Sequence, residues 1–515
     1  MNSRDTLHAP TGEGEILRLP ARENELIQRN RELFPQARTA LFGIPLQELR
    51  ARCKKETLAL AGRFHQENGE EVSFDPASPI LASGHQPELF HPGVWLKNFE
   101  LNRLAKTHGL TPLNLIIDND QARRDTILVP QARGKEIKVV PASFAPKPSG
   151  MTWEDWELKA PDAVEIFSRE VLQAFPQGLS TPLLQEFCPL VARLLTNQPN
   201  LGLAFSKARR EMEKQWGCVN LELPLHSLCQ TETFALFTLD LLSRAESFAR
   251  VHNPLLHTFR KEFGIRSRSH PVPELSSGDD WHEAPFWILA PGICQRQRLT
   301  VRKTVQGILI KARGQGEAVA LDLRNPLESW KNLSAIGWRI RPRALTTTLF
   351  LRLFLAETFL HGIGGAKYDR FTNHIIQDFY QVAPPGYFTI SGTLRLFPKE
   401  APDNSNQSAG LEKRLRDWKW NPQRHEGNPA KEFTQLASKR RELISQPGIS
   451  NKDRFHQLRA NLARFQPLQG EAIGKMELDL EKAREREKLQ RQLGSREFSF
   501  VLFTAESVRQ FLIRS

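Results

Sequence analysis

The sequence predicts an α/β protein with a parallel-sheet core, helical insertions and a charged helical block near the carboxyl end. Two short apolar runs, at 79–83 and 112–117, flank a segment with helical apolar spacing. A strand, a helix and a strand within about forty residues form a βαβ unit, whose strands lie parallel in one sheet. Dense mixed charge after residue 401 predicts the helical block.

The first 75 residues are predicted to form a helical segment that packs on the core. Residues 24–34 and 46–64 combine helical apolar spacing with many charges, which is typical of helices with one solvated face. In the βαβ unit, Pro92 suits the first position of the helix, and Gly109 suits its carboxyl-terminal stop.

The predicted core domain spans residues 76–400 and carries insertions at about 141–217 and 231–335. We expect a helical region at 231–263, a buried helix at 346–361 and a glycine turn at 314–316. Further strands are predicted at 136–140, 284–289, 297–301 and 307–312.

The loop after the first core strand is the strongest candidate site. The chain from Ser83 reads SGHQPELFHPGVWLK, so Gly84, His85, Gln86 and His91 lie between a strand end and a helix start. Open parallel sheets bind ligands beyond the carboxyl ends of their strands. A helix amino terminus there attracts anions, and two imidazoles can donate hydrogen bonds to phosphate or carboxylate. The alternative is that both histidines only cap a loop.

A second candidate site follows the next strand, at Asp118, Asn119 and Asp120. Because neighbouring strand ends face the same crevice, these side chains could bind a ribose, an amino group or a metal ion. The alternative is a helix cap with surface charges.

A third group comprises Arg343 and the segment HGIGGAKYD, with candidates Gly364, Gly365, Lys367 and Tyr368. Glycines let backbone amides approach a ligand closely, while the arginine and the lysine supply positive charge. The alternative is a tight turn after a helix.

These three groups, in this order, resemble the bacillithiol biosynthesis cysteine-adding enzyme family. That family has a strand ending in TGQQ, a later strand ending in EDHD, and a P-R segment before GPxExxY. The corresponding residues here are Ser83–Gln86, Asp118–Asp120, Pro342-Arg343 and Gly362–Tyr368. His85, Asn119 and Gly365 replace the family's Gln, His and Glu. The resemblance spans roughly residues 15–515.

The resemblance implies a nucleotidyltransferase-like, Rossmann-like core and a nucleotide pocket for ATP or ADP. It implies a carbon–nitrogen ligase that joins cysteine, or a similar amino acid, to the amine of a small sugar-type acceptor. His85, His91, Asp118 and Asp120 would be catalytic. Substrate or nucleotide would bind Gly84, Gln86, Asn119, Arg343, Gly364, Gly365, Lys367 and Tyr368. No metal is expected.

The resemblance also implies that the charged helical block, residues 401–495, is a coiled coil that forms a homodimer. Its predicted helices, at 432–444, 452–465 and 471–493, are separated by Pro447 and Pro467, and residues 403–410 are the predicted linker. Residues 496–515 are expected to return to the core as a strand at 496–503 and a short helix.

Composition restricts the class of protein. The net charge is +13, which suits phosphate-bearing ligands or nucleic acid. Six basic residues between Arg296 and Arg313, without an acidic one, keep a basic nucleic-acid-binding protein, or a non-catalytic dimer, as the alternative function. No nucleic-acid module signature is present, which disfavours that alternative.

A cytoplasmic location without membrane insertion is predicted. Mean hydropathy is −0.44, the amino-terminal residues lack a signal-peptide pattern, and the apolar stretch 344–363 contains three ionisable groups. The five scattered cysteines are predicted to be reduced, and Cys218 and Cys229, with His226 the closest group, are predicted to be buried structural thiols. The alternative is a metal or redox role for Cys218, His226 and Cys229.

Overall fold

The computed structural model describes residues 7–133, 136–160, 162–270, 272–314, 317–398, 407–425 and 431–514. The chain divides into two compact units. The first comprises residues 1–394 with 496–515, and the second comprises residues 395–495. The predicted linker at 403–410 lies outside the described residues up to position 406, and Gln407 onward is helical. The turn at 314–316 lies outside them beyond Gly314.

The first unit is built on a six-stranded, mostly parallel sheet. Its order is β1–β16–β15–β4–β5–β8, and only the edge strand β1 runs antiparallel, to β16. These strands are β1 (Ile16–Leu19), β4 (Ile80–His85), β5 (Thr111–Ile116), β8 (Leu221–Pro224), β15 (Thr358–Gly362) and β16 (Tyr387–Gly392). The prediction of an α/β protein with a parallel sheet is confirmed at this level.

A second, antiparallel sheet lies mostly within the predicted insertion at 231–335, with its last strand just beyond it, in the order β13–β12–β11–β10–β14 and with β9 paired to β10. The predicted strands at 284–289, 297–301 and 307–312 belong to it. Its strands are β9 (Ser277–Gly278), β10 (Trp281–Leu289), β11 (Gln297–Lys303), β12 (Gly307–Ala312), β13 (Val319–Asp322) and β14 (Arg339–Pro342). Two hairpins complete the strands, namely β2 (Ala40–Leu41) with β3 (Ile44–Pro45), and β6 (Thr126–Arg133) with β7 (Glu136–Ser143).

The strand predicted at 136–140 is β7, which pairs only within its hairpin and not with the central sheet.

Helices surround the sheets. In the first unit they are α1 (Glu23–Leu33), α2 (Leu46–Glu67), α3 (Pro92–His108), α4 (Asp162–Ala174), α5 (Leu184–Asn197), α6 (Leu201–Gln215), α7 (Leu225–Leu228), α8 (Glu232–Ser243), α9 (Ala245–Glu262), α10 (Pro326–Ala335), α11 (Ala344–Phe350), α12 (Ile363–Tyr380) and α16 (Ala505–Ile513).

The predicted βαβ unit is present as β4–α3–β5. Helix α3 begins at Pro92 and ends before Gly109, which adopts a left-handed conformation with φ of 63°. Strands β4 and β5 pair in parallel along their whole length. A second unit of the same kind, β15–α12–β16, was not predicted.

The predicted buried helix at 346–361 is wrong in its second half. Helix α11 ends at Phe350, a π-helical turn follows to Leu355, and Thr358–Gly362 is the sheet strand β15. A continuous apolar run fits a buried helix and a buried strand equally well, because it has no periodic spacing of apolar residues that would distinguish the two. Pairing with the distant strands β4 and β16 selects the strand conformation for this segment.

The strand predicted at 496–503 is also wrong. A 3₁₀ turn, Phe500–Leu502, occupies this segment. Phe498, Phe500 and Leu502 are all buried, so their alternating spacing reflects enclosure by neighbouring elements and not sheet pairing. The amide of Phe500 donates to the carbonyl of Phe90 at 2.8 Å, which ties the segment to the loop before α3.

The second unit contains α13 (Gln407–Trp420), α14 (Lys431–Ser445) and α15 (Asn451–Leu493). The predicted break at Pro467 is wrong, because α15 continues through it. An internal proline costs about 3 kcal/mol, which packing against a neighbouring helix can offset. Phe465, two residues before the proline, is fully buried against Phe433, Leu436 and Ala437 of α14.

Among the described residues, no helix is long and apolar enough to cross a membrane.

Gly93 is a point of close approach between α3 and the sheet. A Cβ at this position would lie 2.5 Å from the carbonyl oxygen of Gly392 in β16. We expect Gly93→Ala to lower the free energy of unfolding by about 1–3 kcal/mol, because backbone must shift to admit the methyl group. Urea denaturation measures this change.

Gly62→Ala is the matched control. Gly62 lies inside α2, and a Cβ there meets nothing within 4 Å. The added helix propensity should raise stability by about 0.5–1 kcal/mol. Equal effects of the two substitutions would contradict the close approach at Gly93.

Candidate functional site

The order of the central sheet creates a topological switch point between β4 and β15. From β4 the chain proceeds through β5 to β8 on one side, and from β15 it proceeds to β16 on the other. The connections after these two adjacent strands therefore diverge, and a crevice opens beyond their carboxyl ends. Ligands of open α/β sheets bind at such crevices.

A cavity of about 450 Å³ occupies this position. It is bordered by the ends of β4 and β15, the first turns of α3 and α12, and part of α11. Of the predicted site residues, the structure brings six to its wall, namely Gly84, His85, Gln86, His91, Gly364 and Gly365. Among the described residues that line the cavity, none is acidic.

Two helix amino termini border the cavity. Helix α3 begins after His91, whose Nδ1 accepts a hydrogen bond from the amide of Gly93 at 3.1 Å. Helix α12 begins after Gly362 and carries Gly364 and Gly365 in its first turn. A Cβ at Gly364 would meet nothing within 4 Å, so its backbone is open to a ligand. The glycines thus lie in the first turn of a helix that follows a strand, and the alternative of a tight turn after a helix is wrong.

His85 ends β4 and lies at the centre of the wall. Its ring is buried, and its Nδ1 has no hydrogen-bond partner among the described residues. Burial, with the nearby charges of Lys97 and Arg209, holds the pKa of His85 well below its usual value. A neutral imidazole with a free ring nitrogen can bind a ligand atom as donor or acceptor.

Lys97 is a cavity residue that the sequence analysis did not select. It projects from α3 and donates to the carbonyl of Gly84 at 2.8 Å. Burial lowers the pKa of Lys97 to about 8. The sequence signal that could have identified Lys97 was its place between Leu96 and Asn98, in a part of α3 whose residues are mostly buried. A charge is costly in such a position, so a lysine there suggests a function.

His361, at the end of β15, was also not selected. Its Nε2 lies 2.9 Å from Asp369 of α12, which also binds the buried Arg352 at 2.6 Å. Burial lowers the pKa of His361, although Asp369 opposes this shift. A Cβ at Gly365 would lie 2.9 Å from Nδ1 of His361, so glycine is required beside this ring.

The terminal segment contributes Arg496 to the same wall. Its guanidinium donates to Oγ of Ser391 at 3.2 Å and to the carbonyl of Gly392 at 3.1 Å. The neighbouring Glu497 lies 3.6 Å from Nε2 of His91. Burial lowers the pKa of His91 to about 4, so its ring is neutral near pH 7.

The second predicted group, Asp118–Asp120, lies beyond β5 and has protein partners. Asn119 donates to the carbonyl of Pro342 at 2.8 Å. Asp120 pairs with Arg296 at 2.7 Å and accepts from Gln86 at 2.9 Å. Asp118 is buried and accepts from both the backbone amide and the ring of His226.

Asp118, Glu154 and His226 form the one group among the described residues whose atoms could hold a metal ion. Glu154 already pairs with Arg341 at 2.9 Å and Arg339 at 3.1 Å. The two guanidinium groups supply the positive charge that a cation would otherwise provide, so this donor set is already compensated. The alternative with Cys218 and Cys229 has no such clustering among the described residues.

Three predicted residues lie away from the cavity. Arg343 is buried and pairs with Glu283 at 2.7 Å, so its charge is compensated internally. Lys367 lies 5.5 Å from the ring centre of Phe263. Tyr368 packs against the core. Both extend from α12 beyond the turn that borders the cavity.

The structure also shows the surroundings of the five cysteines and of the basic residues at 296–313. Cys218 and Cys229 are buried, as predicted, and so are Cys53 and Cys188, whereas Cys294 is exposed. Within 296–313, Arg298 and Arg313 approach the buried Glu283, and Arg296 pairs with Asp120. Lys311 lies over the ring of Trp281. Most of these charges therefore have partners within the protein.

No protein-family model matches the sequence, and no curated protein matches it.

The histidines should differ in protonation, because their surroundings differ. The charge and hydrogen bond of Asp118 raise the pKa of His226 in spite of its burial, whereas burial lowers those of His85 and His91. At pH 6, His226 should carry a positive charge and the other two should be neutral. Long-range ¹H–¹⁵N spectra of histidine-labelled protein, assigned with single His→Gln variants, measure these states. A protonated His85 at pH 6 would contradict the expectation.

Proposed function

We propose that the chain is an enzyme that binds a phosphate-bearing ligand, a nucleotide such as ATP or ADP, in the cavity between β4 and β15. The observation that carries the proposal is the convergence of two helix amino termini, Lys97 and Arg496 on one cavity without an acidic lining residue among those described. Each helix amino terminus contributes about half a positive charge. Helix α12, which has no side-chain cap, also presents free N–H groups to an anion, whereas α3 begins at Pro92 and the amide of Gly93 is bonded to His91.

The remaining surroundings of the cavity fit the same ligand class. His85 and His91 are neutral and can bind phosphate oxygens through ring N–H groups. A volume of about 450 Å³ is within the range of small-molecule and cofactor sites. The strand order supports a Rossmann-like core, in which nucleotides bind at the switch point.

The reaction that we propose is the one implied by the resemblance, ligation of cysteine or a similar amino acid to the amine of a small sugar-type acceptor. The carboxyl carbon of the amino acid bonds to the amine nitrogen, and one carboxyl oxygen leaves with two protons as water. His85 and His91 would stabilise phosphate or carboxylate charge as it develops. Asp118 and Asp120 do not line the cavity and are paired with His226 and Arg296, so they would help to orient the amino group or a ribose only indirectly, Asp120 through its hydrogen bond to the lining residue Gln86. Arg343, Lys367 and Tyr368 have no direct part, because they lie outside the cavity.

Nucleotide binding tests the first part of the proposal. Isothermal titration calorimetry of the full chain should detect binding of ATP, ADP or AMP at concentrations up to millimolar. We expect His85→Ala to weaken binding by about ten- to a hundredfold, since one buried hydrogen bond to a charged group is worth about 1.5–3 kcal/mol. If none of the three nucleotides binds the unaltered protein, the proposal is wrong.

The pH dependence of binding should identify Lys97. Its pKa of about 8 means that the ammonium charge is present below pH 8 and is lost above it. Anion affinity should therefore fall between pH 8 and pH 9.5. Lys97→Arg should remove this dependence, because guanidinium stays charged, and Lys97→Met should weaken binding at every pH.

Lys106→Met is the matched control, since Lys106 lies on the same helix, outside the cavity, and contacts the carbonyl of Gly217. Its affinity and pH profile should equal those of the unaltered chain. A pH-independent affinity in the unaltered protein would exclude Lys97 from the binding site.

We further propose a homodimer formed through the helical unit 395–495. Its surface exposes Trp420, Ile444, Phe455 and Leu478, which are large apolar side chains. Light scattering of the full chain at tens of micromolar should give twice 58.8 kDa. Leu478→Glu should shift the mass toward the monomer, and Val305→Glu, fully exposed in the other unit, should not. A monomer at this concentration would contradict the proposal.

A further inference from the structure

A second arrangement of side chains lies beyond β5 and β8, and the nucleotide proposal does not use it fully. Strand β8 ends at Pro224, and the short helix α7 follows with His226 and Ser227. Asp118 follows β5, the neighbouring parallel strand. The sheet thus places a carboxylate, an imidazole and a hydroxyl at adjacent strand ends.

The hydrogen bonds connect the three groups in series. Nδ1 of His226 makes a short contact with Oδ2 of Asp118. Its Nε2 lies 3.2 Å from Oγ of Ser227. The backbone amide of His226 donates to Oδ1 of Asp118 at 3.0 Å, so the carboxylate is held on both oxygens.

This connectivity fixes the tautomer of the ring. Because ionised Asp118 can only accept, Nδ1 of His226 carries the proton. When the ring is neutral, above the pKa that Asp118 raises, Nε2 is free to accept the hydroxyl proton of Ser227. The same order of groups, carboxylate to Nδ1 and Nε2 to hydroxyl, activates serine as a nucleophile on unrelated folds.

The three side chains differ in burial, and nucleophilic catalysis requires this difference, with a buried carboxylate and a more exposed hydroxyl. Asp118 is 2% exposed, whereas His226 and Ser227 are half-buried. Glu154, which lies close to the ring, is compensated by Arg341 and Arg339. The carboxylate is thus shielded from water while the hydroxyl remains accessible.

We propose that Asp118, His226 and Ser227 form a nucleophilic triad that cleaves carboxylic esters through an acyl-serine intermediate. Oγ of Ser227 bonds to the carbonyl carbon as its proton passes to Nε2 of His226. The bond between that carbon and the leaving alkoxy oxygen breaks, and this oxygen takes the proton. Water then repeats the exchange, which releases the carboxylic acid and restores the serine.

A fluorophosphonate probe tests the proposal on the full chain, because it phosphonylates activated serines and releases fluoride. Intact mass spectrometry should show one added phosphonyl group, and peptide mapping should place it on Ser227. Ser227→Ala should remove the labelling. Asp118→Asn should slow it by about 10³–10⁴-fold, the effect of replacing a triad carboxylate by an amide.

Ser269 and His270 supply the matched control. They are also an adjacent, hydrogen-bonded serine–histidine pair, at 3.3 Å, but His270 has no carboxylate partner among the described residues. Ser269→Ala should be labelled at the rate of the unaltered protein. Hydrolysis of p-nitrophenyl acetate should follow the same order among the variants.

Absence of labelling in the unaltered protein, labelling at another residue, or labelling that persists in Ser227→Ala would overturn the proposal. Thermal melts of each variant separate loss of the nucleophile from loss of the fold. Nucleotide calorimetry on Ser227→Ala is independent of the outcome, so the triad can fail while nucleotide binding stands, and the converse also holds.

Discussion

The adjacency of β4 and β15 is the constraint on which the candidate site depends. The two strands run parallel as neighbours, yet their chains leave toward opposite sides of the sheet. No connecting helix can cover the gap beyond their ends, so a cavity forms there. The same adjacency brings the first turns of α3 and α12 to one space, although about 270 residues separate them in the sequence.

Burial then determines the chemistry of that space. Water is excluded from His85, His91, His361 and Lys97, and in each case exclusion favours the neutral form over the charged one. The three histidines therefore keep their hydrogen-bonding capacity without a charge, and Lys97 stays positively charged below its pKa of about 8. An anion would stabilise the protonated form of Lys97, so binding of the ligand and protonation of the lysine are coupled.

Beyond the end of the neighbouring strand β5, acidic side chains are compensated by basic ones. Asp118 and Glu154 are buried acidic groups and Asp120 is partly exposed. Each has a basic partner, in His226, the pair Arg339 and Arg341, and Arg296 respectively. Removing one partner would leave a buried charge uncompensated, which is strongly unfavourable. This side of the sheet edge is therefore preorganised by ion pairs, whereas the cavity between β4 and β15 is preorganised by helix termini.

The sequence by itself determined the local elements whose signals are complete within a few residues. Pro92 and Gly109 defined both ends of α3, and the apolar runs beside it defined β4 and β5. From these followed the parallel sheet and the position of Gly84, His85 and His91 at a strand end. Each of these inferences rests on backbone preferences that neighbouring residues in the chain already satisfy.

Only the tertiary structure decided which strand lies beside β4. The run 346–361 carries no period that separates a strand from a buried helix, and pairing with two distant strands selects the strand. Without β15, neither His361 nor the start of α12 could be placed at the cavity, and the lysine at position 97 could not be assigned to a site. The triad of Asp118, His226 and Ser227 also escaped prediction, because its carboxylate is 108 residues from its imidazole. Long-range pairing in the sheet, which no local pattern encodes, brings them into contact.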